Sequence, residues 1–256
     1  MSDVTTKPAI SVIVPVFNGE KYVRQSLSMI SSQTFSNFGC IVLDDGSTDS
    51  TPDYIQRFCR SDPRFSYMTD TQNRGQAARR QQGLDLATGK YVIFLDIDDI
   101  YEDTMLQTAF DNAELVNADI TIFGCSILDS RRGLTSNTNN IYRNIPSKNP
   151  STFMDILYDK RSTRFQVLRN ELWNKLYRRE FLISNGFRFN ASLRRSDDLA
   201  FVIPTLLSAD SLSSISEELI TYRANLPGSN QTTLESHSLD FLVALGTIYD
   251  YLHTTG

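Results

Sequence analysis

The sequence predicts an α/β fold in which a mainly parallel sheet is flanked by helices. Apolar runs at residues 10–17, 38–43 and 91–95 alternate with amphipathic segments along the first hundred residues. Such alternation of strands and helices requires right-handed crossovers between parallel strands. Two of these runs end directly in acidic residues, at Asp44 and at Asp96. The carboxyl ends of parallel strands share one edge of a sheet, and ligands bind there in such folds.

Turn and helix signals divide the first half into alternating elements. We expect a first strand that ends at Pro15 and, after the Asn18-Gly19 turn, a helix that begins at Glu20. A second strand at 38–43 is followed by a helix capped by Ser47, Thr48 or Asp49. A short strand at 65–68, a helix that ends at Gly89 and a strand at 91–95 complete the first half. Proline ends the first strand in this prediction because it cannot donate a ladder hydrogen bond.

The second half is less regular. We expect a helix at 104–116, a buried strand at 120–128, a polar loop at 131–151, an amphipathic segment at 170–182, a helix that follows Asp197 and Asp198, a strand that includes 219–223 and an apolar C-terminal helix at 239–252.

Composition narrows the class of protein. The chain has 256 residues, of which 40% are hydrophobic and 21% charged, which suits one large globular domain. The net charge of -5 and the lack of a basic cluster argue against a nucleic-acid partner. Cys40 and Cys125 lie in strand-like runs, and the odd cysteine count of three fits a reducing, cytoplasmic compartment. Peripheral association with the inner face of a membrane stays open, as does a homo-oligomer.

Three carboxylates follow the strand at 91–95 within four positions. Asp96, Asp98 and Asp99 repel one another unless a cation or hydrogen-bond donors compensate them. One alternative is an acidic helix start, which would account for one or two of these acids but not for all three. Three acids directly after a buried strand fit a platform for a metal ion and a diphosphate better, because hard divalent cations prefer oxygen ligands.

Four sequence blocks now resemble a known family. Residues 10–18, the run Asp44-Asp45-Gly46-Ser47-Thr48-Asp49, the triplet Asn73-Arg74-Gly75 and residues 94–99 are similar to the inverting family-two glycosyltransferases with the GT-A fold. That resemblance implies a Rossmann-like, mainly parallel sheet with a mixed acceptor-side half. It implies a single domain over 1–256, with a nucleotide-sugar half at about 8–129 and an acceptor half at about 130–235. Family members are commonly longer, so we expect a truncated or missing C-terminal helical region.

The resemblance also implies a donor site. The residues expected to bind the nucleotide-sugar, most often a uridine diphosphate sugar, are Pro15, Val16, Asn18, Glu20, Asp44, Asp45, Asn73, Gly75, Arg80, Asp96, Ile97 and Arg223. Asp45 would accept from the uracil N3–H or fix the loop around it, and Asp96 would lie near the ribose. Asp98 would ligate Mn²⁺ or Mg²⁺ on the diphosphate, and His237 is a weaker candidate metal ligand.

On the acceptor side, Asp198 matches the general base of the family and is the candidate catalytic residue. A helix cap is the alternative for Asp198. Trp173, Lys175 and Asp197 are candidates for contacts with acceptor or sugar, against a core tryptophan beneath a helix and a solvated lysine. Arg80 is expected to face the diphosphate or hold an aspartate, whereas a solvated position is an equal alternative for Arg79.

Two positions depart from the family. Gln81 stands where members carry asparagine, and Asp197 stands where they carry glutamate. The predicted function is a metal-dependent inverting glycosyltransferase that transfers sugar to a glycan, lipid-linked or glycoprotein acceptor. Two alternatives remain, a nucleotidyltransferase, although residues 10–18 lack its Gly- and Lys-rich loop, and a non-catalytic nucleotide-sugar binding module.

Overall fold

The computed structural model describes residues 7–137, 171–226 and 239–255. Its strands are β1 (Ile10–Val16), β2 (Phe38–Asp44), β3 (Phe65–Thr69), β4 (Tyr91–Phe94), β5 (Ile100–Tyr101), β6 (Ile120–Asp129), β7 (Leu134–Asn137), β8 (Lys175–Arg178) and β9 (Leu212–Ala224). Its helices are α1 (Val23–Ser31), α2 (Thr51–Ser61), α3 (Gln76–Leu86), α4 (Met105–Val116), α5 (Arg179–Ser184), α6 (Asp197–Ser208) and α7 (Asp240–Thr255). None of the helices in these ranges is long and apolar enough to cross a membrane.

The strands form one sheet in the order β3-β2-β1-β4-β8-β6-β9-β5, with β7 paired to β6. Strands β1 to β4 are parallel to one another, as predicted. Strand β8 runs antiparallel to both β4 and β6, while β6 and β9 are parallel. The sheet is therefore parallel in the first half and mixed in the second, which confirms the predicted fold class.

Helices cover both faces of the sheet because the strands alternate their apolar side chains. In β1, Val12 and Val14 point into a core shared with α1, α2 and α4, whereas Ile13 points into a second core shared with α3, α5 and α6. The first face carries Leu27 of α1, and the second carries Phe201 of α6. Burial on both faces explains why these strands read as continuous apolar runs.

Several element boundaries differ from the prediction. Helix α1 begins at Val23 and not at Glu20. The N-cap position of α2 is Ser50, and not Ser47, Thr48 or Asp49, because the side chains of Ser47 and Asp49 accept hydrogen bonds from the loop after β1. Strand β1 continues through Pro15 to Val16, because Pro15 lies beyond the last β1–β4 pair, where a missing N–H is tolerated. Helix α3 ends at Leu86, before Gly89. The amphipathic segment at 170–182 is not one helix but strand β8 followed by the short helix α5. Its central residues pair with β4 and β6, and that tertiary pairing overrides the local helical pattern.

Close packing of α3 on the sheet depends on Gly83. A Cβ at this position would lie 2.4 Å from Cγ2 of Ile13 and 2.9 Å from Cδ1 of Leu43. We expect Gly83→Ala to lower the free energy of unfolding by about 1–3 kcal/mol, because overpacking outweighs the better helix propensity of alanine. Denaturant unfolding measures the change. Gly246→Ala in α7 is the control, since its Cβ would meet nothing within 4 Å; equal stability of the two variants would contradict the expectation.

Candidate active site

Hydrogen bonds tie the loop after β1 to the loop after β2. The Asn18 backbone N–H donates to Oγ of Ser47, and the Thr48 N–H donates to Oδ1 of Asn18, both at 2.8 Å. The Glu20 N–H donates to Oδ2 of Asp49 at 3.1 Å. The two loops therefore form one connected rim, on which the predicted donor-binding residues Asn18 and Glu20 are exposed.

Glycine lets this rim approach the loop after β4. A Cβ at Gly19 would lie 2.2 Å from Cδ1 of Ile97, so a larger residue here would displace the end of the Ile97 side chain. Pro15 and Val16 are buried in β1 just below, and the Val16 carbonyl accepts from the Asp45 N–H at 2.8 Å. Pro15, Val16 and Ile97 thus lie at the predicted edge of the sheet and shape it.

Asp44 and Asp45 are both buried at the end of β2. Oδ1 of Asp44 accepts from the Ser47 N–H at 3.2 Å, and its Oδ2 accepts from Oγ of Thr69 at 2.8 Å. These bonds satisfy the Asp44 carboxylate within the protein. Asp44 therefore fixes the loop after β2, which begins with Asp45.

The Asp45 carboxylate holds the loop that leads into α3. Its oxygens accept from the backbone N–H of Arg74 at 2.9 Å and of Gly75 at 2.7 Å, and from Nε of Arg79 at 2.7 Å. Because three donors already bind this carboxylate, the structure favours the expectation that Asp45 fixes the loop over the expectation that it accepts from the uracil N3–H. The solvated alternative for Arg79 is wrong, because this side chain is buried against Asp45.

Arg80 connects the two halves of the site. It is 2% exposed, and its guanidinium binds Asp96 at 3.0 Å, Asp197 at 2.8 Å and Asp198. Burial alone would lower the pKa of Arg80, but the carboxylates raise it, Asp198 foremost. The expectation that Arg80 holds an aspartate is confirmed, and it holds three.

Asp198 has the environment of a general base. Asp197 and Asp198 are the first two residues of α6, and Ser196 occupies the N-cap position, so neither aspartate is the N-cap residue. Asp198 is 25% exposed, whereas the Asp197 side chain is 8% exposed and faces Arg80. Burial is the largest cause that raises the pKa of Asp198, Arg80 lowers it, and the charges of Asp197 and Asp96 raise it, which together give a pKa of about 7. A carboxyl with such a pKa is suited to accept a proton near neutral pH.

The carboxylates after β4 have separate surroundings. Asp96 accepts from Nε2 of Gln76 at 2.8 Å in addition to its bonds with Arg80. Asp99 is buried, and its Oδ1 accepts from the Arg223 N–H at 3.0 Å. Asp99 does not start a helix, because it precedes β5, and α4 begins at Met105. It joins the loop after β4 to strand β9 instead.

Asp98 is the candidate metal ligand among these carboxylates. Burial raises the pKa of Asp98 to about 6, and the negative charge of Asp96 adds to the shift. Oδ2 of buried Asp99 has no hydrogen-bond partner, and burial followed by the charge of Asp98 raises the pKa of Asp99. Unbalanced negative charge on oxygen ligands fits a hard cation. Within the described ranges, no group of three or more ligating side chains is arranged to hold a metal.

Comparison with known proteins now assigns the family. The model of glycosyl transferase family 2 matches residues 11–187, which is more than half of the chain. This chain belongs to glycosyltransferase family 2. The matched segment contains Asp45, Arg80 and Asp98 but ends before Asp198, so the base assignment depends on the geometry around Arg80.

Curated relatives agree with this membership. EpsH of Bacillus subtilis, a glycosyltransferase by name, is 30% identical over 225 residues, which are 86% of this chain and 62% of EpsH. The cholesterol galactosyltransferase of Borreliella burgdorferi is 28% identical over 230 residues, with the same two shares. The chain thus spans about three fifths of the length of these relatives.

Solved structures agree on the fold. Residues 1–349 of Staphylococcus aureus TarS in complex with UDP-GlcNAc align with a TM-score of 0.80 at 23% identity, covering 95% of this chain and 66% of TarS 1–349. The mannosyltransferase PcManGT of Pyrobaculum calidifontis, in complex with GDP-Man and Mn²⁺, aligns with a TM-score of 0.62 at 18% identity, covering 98% of this chain and 66% of that protein. At these identities the likeness establishes the GT-A fold.

Two of the candidates for contacts with acceptor or sugar, Trp173 and Lys175, are buried in this family-2 chain. Trp173 is 4% exposed and stacks on Tyr222 with ring centroids 5.4 Å apart, which favours the core alternative over a sugar contact. Lys175 is 1% exposed in β8, and its Nζ donates to Oδ1 of Asn174 at 2.8 Å and to the Glu171 carbonyl. The solvated alternative for Lys175 is therefore wrong, and its buried ammonium supports the segment that carries Trp173.

Two predicted donor-binding residues, Arg223 and Asn73, bind other side chains of the protein. Arg223 donates from Nη2 to Oε1 of Gln25 at 2.9 Å and lies over the ring of Tyr22, so its guanidinium faces α1. Exposed Asn73 accepts at Oδ1 from Nη1 of Arg194 at 2.9 Å. Gln76 and Arg194 were not predicted; the double arginine at 194–195 is a visible signal, whereas Gln76 has none.

Gln81, one of the two departures from the family pattern, lies away from Asp96 and Asp198. Its Nε2 donates to Asp85 at 2.8 Å, and its Oε1 accepts from the Phe189 N–H at 2.8 Å. The departure therefore affects how α3 packs on the segment before α6. The polar loop predicted at 131–151 is wrong over 134–137, which form strand β7 because they pair with the end of β6. The rest of that predicted loop, at 138–151, and His237 lie outside the described residues.

Proposed function

We propose that this chain is a metal-dependent inverting glycosyltransferase that uses a nucleotide-sugar, with Asp198 as its base. The observation that carries the proposal is the bridge formed by Arg80, which binds Asp96 on the donor side and Asp198 on the acceptor side. Because Asp198 and Asp96 bind the same guanidinium, both carboxylates can approach one bound sugar.

The reaction follows from these positions. Asp198 accepts the proton of the acceptor hydroxyl as the hydroxyl oxygen attacks the anomeric carbon. The bond to the diphosphate breaks in the same displacement, and an α-linked donor gives a β-linked product. The rim of Asn18 and Glu20 binds the nucleoside, with Asp96 near the ribose and Arg223 near the diphosphate.

A uridine diphosphate sugar is the proposed donor class. The TarS structures hold UDP and UDP-GlcNAc, whereas PcManGT holds GDP-Man, so both nucleotides occur on this fold. The acceptor is a hydroxyl on a glycan, a lipid-linked sugar or a glycoprotein. Asp197, behind Asp198 and buried against Arg80, acts in this proposal by orienting the base.

A panel of UDP-, GDP- and dTDP-sugars incubated with Mn²⁺ tests the proposal. The expected result is slow release of nucleoside diphosphate from one donor class, because water substitutes for the missing acceptor. Family membership does not support a nucleotidyltransferase, and pyrophosphate release from a nucleoside triphosphate would be required to revive that alternative. Nucleotide binding in calorimetry with no turnover on any acceptor would instead identify a binding module.

Asp98 is proposed to hold Mn²⁺ or Mg²⁺ together with oxygens of the donor diphosphate. A cation there supplies charge compensation for the leaving diphosphate. We expect exhaustive treatment with a chelator to abolish turnover and added Mn²⁺ to restore it. Asp98→Asn should weaken UDP binding in the presence of Mn²⁺, whereas exposed Asp53→Asn on α2 should leave it unchanged. Full turnover after chelation would refute the role of the metal.

A further inference from the structure

Helix α7 lies alongside α6, the helix that begins with the proposed base. Buried Ala244 of α7 packs against Leu193 and Ala200. Near the other end of the pair, the Tyr251 hydroxyl of α7 hydrogen-bonds the Ser208 hydroxyl, at the last residue of α6. The two helices therefore run side by side in the same direction, and the first residue of α7 lies beside the segment that precedes Asp198.

That first residue is Asp240. Its Oδ2 accepts from the backbone N–H of Arg194 and from the backbone N–H of Arg195, both at 2.9 Å. Two consecutive amides on one carboxylate oxygen restrict the peptide planes of this segment. Ser196 follows with φ at 56°, a left-handed conformation that is uncommon for serine and must be enforced by its surroundings. Asp197 and Asp198 come directly after it.

The segment is held from the opposite side as well. The Arg194 guanidinium donates to the Asn73 side chain at 2.9 Å and to its carbonyl at 3.4 Å. A Cβ at Gly75 would lie 2.7 Å from Nη1 of Arg194, so the guanidinium rests on the loop that Asp45 fixes. The residues before the base are thus fixed between the donor-side loop and α7.

We propose that Asp240 is a positioning residue for the reaction of Asp198. This inference rests on the proposed function. Asp240 does not touch the reacting atoms; it acts by holding residues 194–196 in the conformation that directs α6 and its first carboxylates at Arg80. Catalysis by a general base depends on geometry at the scale of a hydrogen bond, so a small displacement of α6 lowers turnover without altering the nucleotide pocket.

The test compares Asp240→Ala with Asp240→Asn, which keeps one oxygen able to accept both N–H groups. For Asp240→Ala we expect kcat of donor hydrolysis, measured with Mn²⁺ on the donor that the panel identifies, to fall roughly 10- to 100-fold. The affinity for UDP in calorimetry should stay within about twofold, since the donor loops are untouched. Asp240→Asn should recover most of the rate.

Hydrogen exchange supplies a readout independent of activity. Amides in peptides that contain residues 194–196 should exchange faster in Asp240→Ala than in the wild type and in Asp240→Asn. Asp250→Ala, an exposed acid on the same helix, is the control and should change neither the rate nor the exchange.

Three results would overturn the positioning role. These are a wild-type kcat in Asp240→Ala, a rate loss no larger than the loss of folded protein measured by circular dichroism, and an Asp240→Asn variant as impaired as Asp240→Ala. A wild type without turnover on any donor would overturn the proposed function together with this inference. Turnover in the wild type with an unaffected Asp240→Ala would overturn this inference alone.

Discussion

Asp198→Asn is expected to lower the rate of sugar transfer by roughly 10²- to 10⁴-fold while the affinity for UDP stays within about twofold. The amide keeps the shape of the side chain but cannot accept the proton of the acceptor hydroxyl. Single-turnover rates with the identified donor, paired with UDP calorimetry, separate the chemical step from binding. Asp197→Asn removes the same charge from the same helix turn, and we expect it to cost less than the base variant. Near-normal transfer by Asp198→Asn would exclude Asp198 as the base.

The same assignment predicts the pH dependence. With a pKa of about 7, Asp198 is protonated at acid pH and inactive as a base, so the rate should rise with pH and level off above about 7. The groups that face it are Arg80 from α3, Asp96 after β4, Asp197 on α6 and Tyr177 on β8. Asp197→Asn removes a like charge, which should move the rising part of the profile to lower pH. A pH profile unchanged by this substitution would contradict the effect of the Asp197 charge on the pKa of Asp198.

Arg80→Leu is expected to destabilise the fold by about 3–5 kcal/mol at pH 8, because it leaves one buried and two half-buried carboxylates without their cation. The affected groups are Asp96, Asp197 and Asp198. Chemical denaturation with matched wild-type curves measures the loss. Arg188→Ala is the control, since this arginine pairs with Asp85 on the surface, with side chains 65% and 52% exposed, and should change stability by less than about 1 kcal/mol.

The pH dependence of the Arg80 variant has a defined sign. Without the guanidinium, the folded-state pKa of Asp198 lies further above its unfolded value. A raised folded-state pKa means that the folded state binds the proton more tightly, so part of the lost stability returns as the pH falls through that pKa. The double variant Arg80→Leu, Asp198→Asn should be more stable at pH 8 than Arg80→Leu alone. Equal destabilisation at pH 8 and pH 6 would show that lost packing, and not charge, dominates.

The sequence predicted best what depends on neighbours along the chain. The strands that end at Asp44 and before Asp96 are apolar runs with abrupt polar ends, and both the runs and their shared edge are confirmed. Asp198 was named as a site residue from its short motif, and Arg80 from its position on the helix that precedes Asp96. Local composition carried this information because parallel strands buried on two faces have a distinctive pattern.

What the sequence could not supply depends on partners distant along the chain. Arg79 resembles a surface arginine until Asp45, 34 positions away, is placed beside it. Lys175 lies in an amphipathic segment that forms strand β8 by pairing with β4 and β6, and buried Trp173 directly precedes that strand. No local signal distinguishes a buried charged residue whose partner is remote from one in solvent.

Strand β8 occupies the middle of the sheet although it is made late. During synthesis, β4 and β6 both emerge from the ribosome before residues 175–178, and the gap between them accepts β8 only afterwards. Until then the apolar edge of β4, which includes Val92 and Ile93, has no partner on that side. Unpaired strand edges favour aggregation, and pairings this distant slow folding. Nascent chains stalled before residue 175 should therefore depend on chaperones, whereas chains whose residues 175–178 have emerged can pair β8 with both β4 and β6.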